Sequence, residues 1–256
     1  MTSRIFFAFS LLALMMGLST QAQAVVSISP RATWHVQLDG TLKFPARQVY
    51  DIDLFDRSAA TIASLKAQNR TVICYFSAGS YEDWRPDKAA FPVAALGKAL
   101  DGWAGEKWLD IRNPGVMTVM KARLDLAKQK GCDGVDPDNV DGYTQNSGFT
   151  MTKQNQISYL QTLAAEAHAR GLAIALKNGL EMIPAIVNDF DFAINESCTK
   201  YNECQMYAPF VNAGKAVFAI DYTTYSAKKC TKAKAQGINM QFYKQSLKAE
   251  GKPCPQ

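Results

Sequence analysis

The sequence predicts an α/β protein, a single-domain (β/α)8 barrel of the TIM type with one possible extra strand. Three observations predict it: short β-branched and aromatic runs alternate with helical periodicities, the runs are apolar inside, and acids recur at their carboxyl ends. Strand alternating with helix implies a parallel sheet, and apolar strand interiors imply one buried on both faces. An open doubly wound sheet meets the same conditions. No Gly-x-Gly-x-x-Gly follows the first strand, however, so the closed barrel is preferred.

Taken in order, the chain first presents Arg4, an apolar run from Ile5 to Leu18 and the small-residue triplet Ala22-Gln23-Ala24. This is the layout of a secretory signal peptide ending at Ala24. The run is shorter than the roughly 20 residues a bilayer span needs. The expectation is therefore a secreted or periplasmic protein, residues 25–256, with no membrane association after leader removal. Nine candidate strands follow: Trp34 to Leu38, Gln48 to Leu54, Thr71 to Ser77, Trp108 to Ile111, Gly134 to Asp138, Leu172 to Asn178, Asp191 to Glu196, Ala216 to Tyr222 and Ile238 to Tyr243. One is more than a barrel uses, so one is a loop or an extra strand. Between them, Met117, Met120, Leu124 and Ala127 line one helix ahead of Gly131. Ile157, Leu160, Leu163, Ala164 and Ala167 line another ahead of Gly171.

The net charge of +5 falls by one with Arg4 and is spread along the chain. Its densest stretch, Lys228 to Lys234, carries no interleaved aromatics, which fits a solvated helix face rather than a nucleic-acid patch. Six cysteines in an exported chain point to disulfides. Cys198 with Cys204 is the first choice and Cys230 with Cys254 the second; Cys74 and Cys132 read equally well as buried free thiols. No Cys-x-x-Cys occurs and the two histidines, His35 and His168, lack companions at ligand spacing, so no metal is expected. His168 reads as a surface residue of its helix.

Acid closes strand after strand: Asp51 and Asp53, then Glu82 and Asp83, Asp110, Asp136 and Asp138, Glu196, and Asp221. In a barrel these ends share one rim, where active sites form. A carboxylate ending an apolar strand is costly to bury unless paired or used, so the repetition argues for a site. Helix caps and ion pairs are the plain alternative, and Asp51, Asp53 and Asp56 fit caps and turns. In Asp133 to Tyr143, Asp136 and Asp138 share a face if the chain stays extended. A calcium loop fails there because Val140 occupies the third ligand position. Two-carboxylate glycoside cleavage fits better, since it needs one acid to protonate the leaving oxygen and one carboxylate opposite it. No Gly-x-Ser-x-Gly occurs, and neither histidine adjoins a nucleophile. Among Trp34, Tyr75, Tyr81, Trp84, Trp103, Trp108, Tyr143 and Tyr222, the polar surroundings favour Trp84 and Tyr143 as walls for sugar rings.

The motifs Trp34-His35-Val36-Gln37-Leu38, Val49-Tyr50-Asp51-Ile52-Asp53, Cys74 to Ser80, Asp133 to Asp141, Leu176-Lys177-Asn178 and Asn195-Glu196-Ser197-Cys198 together resemble glycoside hydrolase family 114. The resemblance covers nearly all of the chain after the leader. It implies a barrel endo-α-1,4-polygalactosaminidase that cuts galactosamine-containing exopolysaccharide without a cofactor. It also implies Asp138 and Glu196 as the catalytic pair, with Glu196 as general acid/base, Asp138 as nucleophile, and the roles exchangeable. Asp51, Asp53, Glu82, Asp136 and Asp221 are then expected to bind amines or hydroxyls, beside Tyr75, Asn139 and Tyr222, with Lys177 holding a carboxylate charged. The family's Glu-Tyr pair in the eighth strand is Asp221-Tyr222 here, one methylene shorter. A monomer acting on a polysaccharide is the expectation, with no nucleic-acid partner. A barrel glycosidase for another polysaccharide and a non-catalytic carbohydrate-binding protein are the alternatives.

Overall fold

The computed structural model describes residues 24–255. Nearly all of the expected leader, residues 1–23, lies outside the described residues. The chain enters through β1 (Trp34–Gln37), β2 (Val49–Asp53) and β3 (Thr71–Ser77), then leaves for an excursion made of β4 (Ser80–Glu82), β5 (Leu96–Ala99) and β6 (Glu106–Leu109). It returns through β7 (Gly134–Asp138), β8 (Ala173–Lys177), β9 (Phe192–Glu196), β10 (Val217–Asp221) and β11 (Asn239–Phe242), and ends at the two-residue β12 (Lys252–Pro253). Outside the excursion, the eight strands from β1 to β11 run in parallel in sequence order, and β12 pairs antiparallel to β11 at the edge. The surplus strand of the sequence reading, Trp108 to Ile111, belongs to the excursion, where β6 lies antiparallel between β4 and β5.

Helices α1 (Ala59–Lys66), α2 (Pro114–Lys130) and α3 (Lys153–Ala169) cover the outer face of the sheet, followed by the short α4 (Ile183–Ile186), α5 (Cys198–Tyr201) and α6 (Ala208–Asn212), and by α7 (Ala227–Ala235). Local chemistry sets their ends. Asn113 caps α2 through Gly115 N, Pro114 takes the first turn where its missing N–H costs nothing, and Gly131 closes the helix at φ 90°. Thr152 and Asn155 form a reciprocal capping box on α3. His168, expected at the surface, is half-buried, with Nε2 2.9 Å from the Asp191 carboxylate that precedes β9.

Alternation along each strand splits the core in two. Outward residues such as Tyr50, Ile52, Cys74, Phe76, Val135 and Leu176 pack under the helices. Inward residues such as Trp34, Ile73, Ala175, Phe192, Ile194 and Phe218 fill the barrel floor, with Trp34 stacked on Phe218 at 4.9 Å. The seam between β1 and β11 is bridged by side chains. Gln241 donates to Trp34 O at 2.6 Å, Asn239 to Ala32 O at 2.7 Å, and the Tyr243 hydroxyl accepts from Val36 N at 3.1 Å. Where the floor ends, the inward positions become polar, and the site begins.

All six cysteines are paired: Cys74–Cys132, Cys198–Cys204 and Cys230–Cys254. The first pair corrects the free-thiol reading. Cys74 points outward from β3, and Cys132 precedes the neighbouring β7, so parallel pairing of the two strands brings the sulfurs together. This bridge closes a 58-residue span that contains the whole excursion. Cys74→Ser is expected to lower unfolding free energy by about 2–4 kcal/mol in denaturant titration.

Candidate active site

The carboxyl ends of β3, β7, β8 and β9 supply Tyr75, Asp138, Lys177 and Glu196, and Tyr222 follows β10. All five line one cleft of about 560 Å³, together with Asn139, Asp141, Asn178, Glu106, Trp103 and Trp108. At its base the Lys177 side chain is only 2 % exposed, and its Nζ lies 3.4 Å from Asp138 Oδ1, 3.8 Å from Glu196 Oε2 and 3.6 Å from Asp136 Oδ2. These are ion-pair rather than hydrogen-bond distances. Burial alone would pull the ammonium pKa down; Asp136, Asp138 and Glu196 overcome it and hold the pKa well above the ordinary lysine value. One cation thus stands between two carboxylates that face the cleft.

Each carboxylate is oriented by a further shell. The Tyr75 hydroxyl donates to Asp138 Oδ2 at 3.0 Å. Glu196 accepts from the Tyr222 hydroxyl at Oε1 and from Asn178 Nδ2 at Oε2, the latter at 3.2 Å. Asn178 also accepts from Glu196 N at 2.8 Å through Oδ1, a two-point grip on the end of β9 that its left-handed backbone (φ 50°) permits. Burial raises both phenols further, Tyr75 beside Asp138 and Tyr222 beside Glu196, so each stays a hydrogen-bond donor.

The excursion forms the second wall. Glu106 and Trp108 share a face of β6 by strand alternation, and both line the cleft. Glu106 is 7 % exposed, accepts from Ser80 Oγ at 2.6 Å, and has no cationic partner within ion-pair distance among the described residues. Burial raises its pKa; the Ser80 bond opposes this, and the Asp138 charge adds to it. Asn139 joins the walls, donating to Ser77 Oγ at 2.9 Å and Ser80 Oγ at 3.2 Å.

Several residues expected at the cleft lie elsewhere. Asp53 is locked in a two-point pair with Arg85 (2.7 and 3.0 Å) and accepts from Phe55 N and Asp56 N, the cap-and-turn role considered from sequence. Glu82 faces Arg85 at 2.8 Å and Arg123 at 3.7 Å; burial raises it, against both guanidiniums, to about 7. Asp221 points outward, because Phe218 and Ile220 take the inward positions of β10. Burial would raise it, but Lys229, Thr199 and Thr223 hold it at about 2. Trp84 is half exposed on the turn after β4, and Tyr143 packs against the outer core with its hydroxyl 3.5 Å from Glu181. Trp103 and Trp108 are the tryptophans that line the cleft, beside Tyr75 and Tyr222. Asp51 and Asp136 are buried among the inward side chains without lining the cleft. Glu106 was missed from sequence, although its spacing of two from Trp108 was the available signal.

A barrel whose strand ends hold two cation-bridged carboxylates beside aromatic walls defines the class of barrel glycoside hydrolases. The profile of glycoside-hydrolase family GH114 matches residues 17–256, and the chain belongs to that family. Ega3 of Aspergillus fumigatus, crystallised in complex with galactosamine, is 40 % identical and superposes with a TM-score of 0.86, over 92 % of this chain and 100 % of that one. The glycoside hydrolase domain of PelA from Pseudomonas aeruginosa shares the fold at 15 % identity and a TM-score of 0.68, over 86 % of this chain and 97 % of that one. No curated protein matches the chain.

One glycine sets the spacing of the walls. A Cβ on Gly79 would stand 1.7 Å from Asn139 O, because the turn after β3 lies directly on the one after β7. Gly79→Ala must push Asn139 and its neighbour Asp138 away, and is expected to cost about 1–3 kcal/mol in chemical denaturation.

Proposed function

We propose that this chain is an exported, monomeric endo-hydrolase of α-1,4-linked galactosamine polysaccharide, with Asp138 and Glu196 as its catalytic pair. The observation that carries this reading is the single buried ammonium of Lys177 within 3.8 Å of both carboxylates at the base of an open cleft. In this assignment Asp138 attacks the anomeric carbon while Glu196 protonates the departing glycosidic oxygen. Glu196 then takes a proton from water, which displaces Asp138 and frees the sugar. Lys177 favours the anionic form of the attacking group, and the Tyr222 and Asn178 bonds keep Glu196 aimed at the leaving oxygen.

Substrate choice follows from the walls. Free amines on galactosamine are cationic, and Glu106, Asp101 and Asp141 line the cleft as acids, so the local field attracts the polymer despite the positive net charge. Trp103 and Trp108 offer planes for the C–H faces of the sugar rings. The galactosamine complex of Ega3, at 40 % identity, supports the same sugar. Export is supported by three disulfides, which need an oxidising compartment, and by the leader pattern at the amino terminus. No described helix is long and apolar enough to cross a membrane.

Reducing-end release from partly deacetylated α-1,4-galactosamine polymer tests the assignment. Asp138→Asn and Glu196→Gln should each lower turnover about 100- to 10,000-fold with the fold intact. Glu106→Gln should lower kcat/KM about ten- to hundredfold on deacetylated polymer and far less on fully acetylated polymer. Polymer binding without any release by the wild-type protein would replace the hydrolase reading with a binding one.

A further inference from the structure

Below the catalytic pair, the carboxyls of Asp51 on β2 and Asp136 on β7 face each other within hydrogen-bonding reach, flanking β3 on its inner side. Both residues are at least 97 % buried. Among the described residues, no N–H or O–H donor from another group meets either oxygen of Asp51 or Oδ1 of Asp136. Two ionised carboxyls are acceptors only and repel each other in so dry a place, so such a pair is stable only with a proton between them.

The surroundings decide which residue keeps the proton. Lys177 Nζ stands 3.6 Å from Asp136 Oδ2, whereas among the described residues no cation is in ion-pair contact with Asp51. The other acidic groups acting on the pair are Asp138 on β7 and Glu196 on β9, which disfavour a second negative charge there, while Lys177 also opposes the rise at Asp51. Burial, and then the Asp136 charge, push Asp51 well above the carboxylate range; burial also raises Asp136, but Lys177 holds it at about 6.

We propose that Asp51 is a neutral carboxylic acid at pH 7 that donates its proton to Asp136 Oδ1, leaving Asp136 Oδ2 as one fixed anionic oxygen for Lys177. Asp51 is thus a positioning residue, acting through Asp136 on the ammonium between Asp138 and Glu196. Its neutrality leaves three carboxylates around the ammonium instead of four. The effect on turnover rests on the hydrolase reading above; the location of the proton does not.

Asp51→Asn tests this directly, because the amide reproduces the shape of the neutral acid and its donated hydrogen bond. The sign of the pH dependence discriminates. With its folded pKa raised, Asp51 costs nothing below the unfolded value of about 4, and stability falls as pH rises toward the folded pKa. The amide has no such loss. The stability of Asp51→Asn relative to wild type should therefore improve steadily as pH rises above about 4. At pH 7 the infrared carbonyl band of a buried neutral carboxylic acid should be present in wild type and missing in the variant. Turnover should stay within about threefold in Asp51→Asn and fall at least about tenfold in Asp51→Leu, which cannot donate. A variant amide that fails to fold, loses stability as pH rises, or leaves the carbonyl band unchanged would overturn the proposal.

Discussion

A lysine ammonium with almost no contact with water sits where four barrel strands end, and the rest of the site depends on keeping it charged. An isolated ammonium so placed would shed its proton. Lys177 keeps its proton because Asp136, Asp138 and Glu196 all turn toward it, two from β7 and one from β9. The same attraction holds Asp138 and Glu196 at one distance from a common point, and so at a restricted distance from each other. Removing the ammonium would leave three carboxylates facing one another without a counterion, a cost usually larger than the net worth of an ion pair.

Such precision needs a stiff support. Below the lysine, the floor is filled by Trp34, Phe192, Phe218 and the aliphatic side chains around them, so the strand ends cannot sag inward. Beside it, Arg123 donates to Ser77 O at 2.6 Å and grips Asp87 at 2.8 and 3.0 Å, while Arg85 joins Asp53 to Glu82. These two buried guanidiniums fasten the excursion to the end of β3. The small antiparallel sheet can then present Glu106 and Trp108 as a fixed wall. Acids that do not face the cleft therefore still serve it, as the ties that hold its second side in place.

The barrel and the strand-end carboxylates that meet at Lys177 were legible in the sequence for one reason: period-two alternation in an apolar strand assigns faces without any tertiary information. It put Asp136 and Asp138 on one face and identified the end of β9. Applied to β10, the same rule would have turned Asp221 outward, since Phe218 and Ile220 cannot both be core and share its face. Applied to β6, it would have found Glu106 two residues before Trp108. What no local rule could supply was partner choice. Arg85 lies only three residues from Glu82, but nothing near Asp53 in sequence announces Arg85 as its counterion, nothing near Glu82 announces Arg123, and Cys74 meets Cys132 only because β3 and β7 are neighbours across the excursion. Trp84 looked suited to a cleft by its polar company, yet it stands half exposed outside the cleft lining.

Where a substrate chain lies decides most directly whether this cleft is the active site, and a crystal structure of Glu196→Gln with an α-1,4-linked galactosamine oligosaccharide would show it. The glycosidic oxygen is expected between Asp138 and residue 196, the rings against Trp103 and Trp108, and an amine beside Glu106. An oligosaccharide bound away from Lys177 and its carboxylates, or along the outer face of the excursion, would contradict the assignment of this cleft as the active site.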